Sequence, residues 1–253
     1  MGSATPPPGR STVDRRGEGT AAPVRGATPG WAARLRRWWR GGVARDVLVI
    51  GGYLLAAGYV TARLWARPDE MTHADNDQIL FEWMLARAAR AVTHLENPFY
   101  STALNAPEGV NLMANTSVLG LGIPLAPVTL LFGSRVTFLV CLVLSFAGTA
   151  TAWYLLLSRR LVESRAGAAL GGLFCGFAPG MVSQGTGHLH MVAQFLVPVI
   201  LALVFHPGSD RVLRRGILLG LAVTYQVFLG EEVLVFLVLA CGLFTVAYAV
   251  GDP

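Results

Sequence analysis

Three short motifs carry side chains able to move a proton or meet a phosphate: Asp75-Asn76-Asp77, His188-Leu189-His190 and Glu231-Glu232. A carboxylate serves as a general base where it reaches the proton to be removed. Two oxygen ligands such as Asp75 and Asp77 could also hold Mg²⁺ or Mn²⁺ beside a phosphate. Each motif has a plainer reading. Aspartate ahead of a helix caps its first turn, and one of the two could cap while the other acts. An HxH pair ligates zinc only where further ligands converge, and none stands near this one in sequence. Histidines at a membrane interface often do no more than bond loop carbonyls. A single glutamate at the end of a span is ordinary, and two adjacent ones are less so. Spacing alone leaves these alternatives open.

The elements that must position these groups are those of a membrane protein. Of 253 residues, 53% are apolar and 14% charged, against about 25% charged in a soluble domain, and the mean hydropathy is +0.52. That excludes a water-soluble enzyme and implies a polytopic, all-α bundle of transmembrane helices in a lipid bilayer. All 20 basic residues are arginine, a codon habit of GC-rich bacterial genomes. The net charge of +5 does not point to nucleic acid, because no aromatic-basic platform or recognisable module accompanies it. Nine arginines, from Arg10 to Arg45, precede the first long apolar run, and arginine flanking a span reports orientation. Cys141, Cys175 and Cys241 lie singly inside apolar runs, which suits small core residues and neither a disulfide framework nor a metal knuckle.

Along the chain, residues 1–30 are rich in Pro, Gly, Ser, Thr and Ala and read as a disordered cytoplasmic tail. Residues 31–46 form a basic, tryptophan-bearing juxtamembrane segment suited to anionic headgroups. Residues 47–253 form the transmembrane domain. Val47–Trp65 is the first run long enough to cross. Val60-Thr61-Ala62 resembles a cleavage site and Arg36-Arg37 a twin-arginine signal, but an uncleaved anchor with its N-terminus inside is the preferred reading. The polar stretch from Arg67 to about Asn115 is acid-rich and arginine-poor, as on an outer face. Within it, Gln78–Leu95 has a helical period, with Leu80, Phe81, Met84, Leu85, Ala88, Val92 and Leu95 on one face. Such a helix is expected to lie along the bilayer surface, ended by Asn97-Pro98.

Val118–Phe132 is short for a span and holds Pro124 and Pro127. Reading it as a second surface-lying or re-entrant helix keeps Arg159, Arg160 and Arg165 inside, as the charge rule prefers. The outer loop then runs from about 67 to 135. Crossings are expected at Val47–Trp65, Val136–Leu157, Ala166–Val182, His190–Phe205, Gly216–Leu229 and Val233–Val250, with both termini inside. This alternation places Asp75, Asp77, Glu82, His188, His190, Glu231 and Glu232 together on the outer face. Acids gathered at a membrane face suggest a water-filled functional cavity.

A first span, an acidic outer loop with an early aspartate, two surface helices and a return span ending in Arg159-Arg160 together resemble the GT-C superfamily of glycosyltransferases. The stretch NPFYSTALNAPEGVNLMANTS, residues 97–117, resembles an actinobacterial group of multi-pass members most specifically. The resemblance implies a sugar donor on a polyprenyl phosphate, used at the extracytoplasmic face of the bacterial plasma membrane. The acceptor would be a glycan, lipid or protein of the envelope, and the anomeric carbon would invert. It assigns the base to Asp77, with Asp75 second, and gives Glu231 or Glu232, His188 and His190 to substrate orientation. Arg67 or Arg135 would pair the departing phosphate. Members of the superfamily run to more spans, so the chain corresponds to a truncated member or an N-terminal part. A non-catalytic membrane component or fragment, and a transporter or lipid flippase, are the alternatives.

Overall fold

A computed structural model describes residues 42–67, 75–114, 116–205 and 211–251, without the side chain of Asp75. The expected N-terminal tail and the juxtamembrane segment up to residue 41 lie outside the described residues. In chain order the elements are α1 (Val43–Ala66), α2 (Asp75–His94), strands β1 (Tyr100–Ser101) and β2 (Val110–Asn111), α3 (Leu119–Gly122) and α4 (Ala126–Leu156). A π-helical turn, Leu157–Leu161, ends α4. Then come α5 (Arg165–Phe177), α6 (Pro179–Gln184), α7 (Leu189–Val192), α8 (Val197–Val204), α9 (Val212–Val227) and α10 (Glu231–Gly251). Among the described residues the protein is helical apart from a small antiparallel hairpin that pairs Tyr100 with Asn111 and Ser101 with Val110.

Among the described residues, four stretches are long and apolar enough to cross a bilayer: Val43–Ala66, Ala126–Leu161, Arg165–Gln184 and Glu231–Gly251. Two expected crossings are therefore corrected. His190–Phe205 is not one helix: α7 ends at Val192, and α8 has 8 residues, about 12 Å of rise against a hydrocarbon core of about 30 Å. The break is held by α4. The Thr149 hydroxyl donates to the Val192 carbonyl at 3.0 Å and accepts the Gln194 N–H at 3.1 Å, supplying partners for backbone groups that a continuous helix would have paired. The stretch expected at Gly216–Leu229 belongs to the 16-residue α9, about 24 Å long.

The central element is α4, against which α1, α2 and α5 all pack. The α4–α5 seam is built on small residues four apart, Ala168, Gly172 and Gly176. A Cβ at Gly172 would sit 2.7 Å from the Ala150 carbonyl oxygen, and one at Gly176 would sit 2.6 Å from the Ala150 Cβ. Small residues at this spacing let two backbones approach where apolar burial gives no preference for protein over lipid. Tyr53 of α1 donates to the Ala169 carbonyl at 2.7 Å and so ties the first helix to the same seam.

The two ends of α4 are distinct. At its C-terminal end, Asp46 at the start of α1 accepts from the Tyr154 hydroxyl at 2.5 Å and pairs with Arg165 at 2.6 Å, with Arg159 at 4.0 Å. The arginines after α4 therefore share the end at which α1 begins, as the reading of Val118–Phe132 required. That segment is nonetheless not a single surface helix. All four residues of α3 are buried, and α3 is docked by Gly120 N–H to the Phe228 carbonyl (2.7 Å) and by the Tyr225 hydroxyl to the Gly120 carbonyl (2.6 Å). The second piece, Ala126–Phe132, is the first two turns of α4, and Gly133 separates it from the rest with φ 86° and ψ 164°, a conformation open essentially to glycine alone.

The amphipathic α2 matches the expected period, with Phe81, Met84, Leu85 and Ala88 buried and Val92 and Leu95 exposed. Its apolar face does not lie open to a bilayer surface. It is covered by protein, chiefly α4 and α3.

Candidate functional site

At the end opposite Asp46, three separate elements bring their ionisable groups together. The first turn of α2 carries Asp77. The start of α7 carries His188, just before the helix, and His190 within it; it follows α5 and α6, which together run 20 residues from the Arg165 end, on the order of 30 Å. The first turn of α10 carries Glu231 and Glu232. The Nε2 of His188 lies 3.1 Å from the Asp77 carboxylate, and the Nε2 of His190 lies 3.6 Å from that of Glu232. The two imidazole rings stand edge to face with centroids 6.1 Å apart. Four residues singled out in the sequence thus form two adjacent carboxylate–imidazole pairs, with Glu231 beside them.

The pairs differ in setting. Asp77 and His188 are both about half exposed, so water or a substrate reaches them. His190 is buried, with 9% of its side chain exposed, while its partner Glu232 is 53% exposed. Burial pushes the His190 imidazolium down from the ordinary histidine value, and the Glu232 carboxylate opposes that shift. The His190 ring lies over Phe81, with centroids 5.3 Å apart. Its Nδ1 is buried with no partner among the described residues.

The local fold explains the placement. Gln226, Leu229 and Gly230 make a tight turn between α9 and α10, in which the Gly230 N–H donates to the Gln226 carbonyl at 2.8 Å. A Cβ at Gly230 would sit 3.0 Å from the Cβ of His190 and 3.2 Å from its carbonyl oxygen, so a side chain here would press on α7, and glycine lets the turn close against it. Glu231 accepts from the Thr116 hydroxyl at 3.4 Å, which connects α10 to the segment before α3.

Of the two arginines expected to meet phosphate, Arg135 is held by another acid. Arg135, just past Gly133, pairs with Glu82 at 3.2 Å, and Glu82 also accepts from Gln78 at 2.8 Å. Arg67 is exposed just beyond α1, its backbone N–H closing the last helical turn onto the Arg63 carbonyl at 3.0 Å. No group of three His, Cys, Asp or Glu side chains among the described residues is arranged to hold a metal ion. The Mg²⁺ or Mn²⁺ pair expected from Asp75 and Asp77 lies in part outside the described residues, since the Asp75 side chain is not among them. The cysteines are free.

Sequence reasoning missed Phe81 as the platform under His190, Gly230 as its spacer and Thr116 as the Glu231 partner. Gly230 directly before two acids was the one available signal. The other two depend on contacts between residues more than 100 positions apart. No family model matches the chain, and no curated protein or solved structure matches it either.

Proposed function

We propose that this chain is a membrane glycosyltransferase of GT-C type, or the N-terminal portion of one. It would move a sugar from a polyprenyl-phosphate donor to a hydroxyl of a cell-envelope acceptor. The observation that supports this reading is the pairing of Asp77 with His188 beside that of His190 with Glu232. With the start of α1 on the cytoplasmic side, both pairs face outwards. His188 orients one oxygen of the Asp77 carboxylate, and the other accepts the proton of the acceptor hydroxyl. The acceptor oxygen then forms its bond to the anomeric carbon from the side opposite the lipid phosphate. The bond from that carbon to the phosphate oxygen breaks, the phosphate leaves with the electron pair, and the configuration inverts. Glu232, half exposed beside His190, hydrogen-bonds the incoming acceptor.

The test is sugar transfer from a polyprenyl-phosphate donor in membranes carrying Asp77→Asn. A general base contributes roughly 10²–10⁴-fold, so transfer falls by that factor while the protein remains inserted in normal amount. Undiminished transfer would remove Asp77 as the base.

A second reading, passage of a lipid or solute, is favoured by the interrupted segment from α7 to α8 and by the break at Gly133, because transporters use discontinuous helices at their binding sites. Proteoliposomes distinguish the two. Movement of a labelled lipid across the bilayer with no donor sugar present, unaffected by Asp77→Asn, supports passage over transfer.

A further inference from the structure

A second site lies on the other side of α2. Trp83, Arg87 and Arg90 face away from Phe81, Leu85 and Ala88, and the chain from Glu96 to Ala103 folds over them to leave a groove of about 720 Å³. That lies within the range of about 300–1,000 Å³ common for small-molecule sites.

Its hydrogen-bonding groups are unbalanced. Glu96 is the one acid in the lining, and it is fully engaged: one oxygen pairs with Arg87 and the other takes Arg90 Nε at 2.9 Å. Arg87 also holds the covering chain, donating from Nη2 to the carbonyls of Asn97 at 3.2 Å and Tyr100 at 3.4 Å. The donors that remain have no acceptor among the described residues. Both terminal nitrogens of Arg90 are unengaged, on a side chain 59% exposed, and Arg87 Nε is buried without a partner. The Asn97 oxygen accepts the Phe99 N–H at 2.9 Å, which fixes its amide nitrogen as a further open donor. Trp83 and Thr102 border the same space.

A groove with surplus donors, a free guanidinium edge and an aromatic wall is complementary to an acceptor-rich anion attached to an apolar or ring-bearing body. Guanidinium forks match phosphate oxygens two at a time, and the indole offers an apolar face with a polar edge. We infer that this groove binds a phosphate-bearing ligand, with Arg90 and Asn97 on the phosphate and Trp83 against the body attached to it. The same chemistry is offered by a free sugar phosphate and by an anionic lipid headgroup. The inference does not depend on the reaction proposed at Asp77, since none of its residues belongs to that site.

The test uses the full chain in nanodiscs. One arm titrates glucose 1-phosphate into neutral phosphatidylcholine discs by equilibrium dialysis. The other compares lipid retained on the protein from discs containing phosphatidylglycerol. Saturable binding in the first arm identifies a sugar phosphate, and selective retention in the second identifies a headgroup. In whichever arm binds, Arg90→Gln weakens binding about tenfold or more, as expected for one charge-assisted bidentate contact. Asn97→Asp keeps the oxygen that Phe99 needs and replaces the donor with a negative charge, so it weakens binding in the same direction. Size-exclusion profiles and helical content unchanged in both variants show that the fold is retained. Binding in neither arm, or binding indifferent to both substitutions, overturns the inference.

Discussion

The two ends of α4 hold their charges in opposite ways. At one end a single carboxylate, Asp46, is surrounded by the Tyr154 hydroxyl, Arg165 and Arg159. At the other, Asp77 and Glu232 each face one imidazole and are about half exposed. Asp46 fixes the first helix to the α4–α5 pair, its Oδ1 taking both Tyr154 and Arg165 while Arg159 stands 4.0 Å from Oδ2. Asp77 has one imidazole partner and an oxygen open to water. A charge held by several neighbours ties elements together, whereas one partnered once and half exposed ties little.

The largest expected effect that would sharpen this contrast is on stability. Asp46→Ala leaves Arg165 and Tyr154 without their acceptor and should cost about 1–3 kcal/mol, toward the low end because the arginine is partly solvated. Asp77→Ala should cost no more than about 0.5–1 kcal/mol, the loss of one exposed charge near a helix start. Denaturant unfolding of both variants in micelles measures the difference, and equal losses would break the contrast. Next in size is Thr149→Val, which removes one donor and one acceptor from the α7–α8 break and should cost about 1–2 kcal/mol. Because that break carries the chain leading from His190, hydrogen exchange at residues 189–194 should rise in the variant. Unchanged exchange would show that Thr149 does not hold the histidine segment.

A smaller effect follows from His190. Its folded-state value lies below the ordinary 6.5, so over the interval between the two the unfolded chain binds more protons than the native one. Stability should therefore be full above about pH 6.5 and decline as the pH falls through that interval. His190→Gln should flatten the decline in unfolding curves taken from pH 7.5 to 5.5, and a slope identical to the parent would exclude this histidine as its source. The smallest effect belongs to Glu96, whose carboxyl is held below its ordinary 4.5 chiefly by the hydrogen bond from Arg87, with Arg90 adding to it. Its contribution is present above that value and is lost as the pH falls through the lowered one. Proteolysis of the 96–103 chain should accelerate there and not at neutral pH.

Much of this arrangement was legible because it depends on length and period. An apolar run is long enough to cross or it is not, and Phe81, Met84, Leu85 and Ala88 recur as one helical face must. Alternation of spans led to the expectation of Asp77, His188, His190 and the two glutamates at one end, but it counted His190–Phe205 and Gly216–Leu229 as crossings, neither of which is among the four long apolar stretches of the described residues. The interruption between α7 and α8 was not legible, because it depends on one hydroxyl more than 40 positions away in sequence. Nor was the burial of α2, since an amphipathic face reads the same whether lipid or protein covers it. The groove beside Trp83 was hidden for a similar reason: no sequence pattern joins Glu96 to both Arg87 and Arg90.

Gly133 has one further consequence, for mutation. A single-base change in a glycine codon that alters the residue and does not stop the chain installs a side chain with a Cβ, and at this position φ is +86°. Nothing lies within 4 Å to obstruct that atom, so the penalty falls on the backbone conformation alone. It is relieved by letting the helix run straight. A straight α4 of 31 residues would extend about 46 Å, against roughly 30 Å of hydrocarbon. The bilayer would then have to thicken or the helix to tilt, so one residue without a side chain sets how the protein matches the thickness of its membrane.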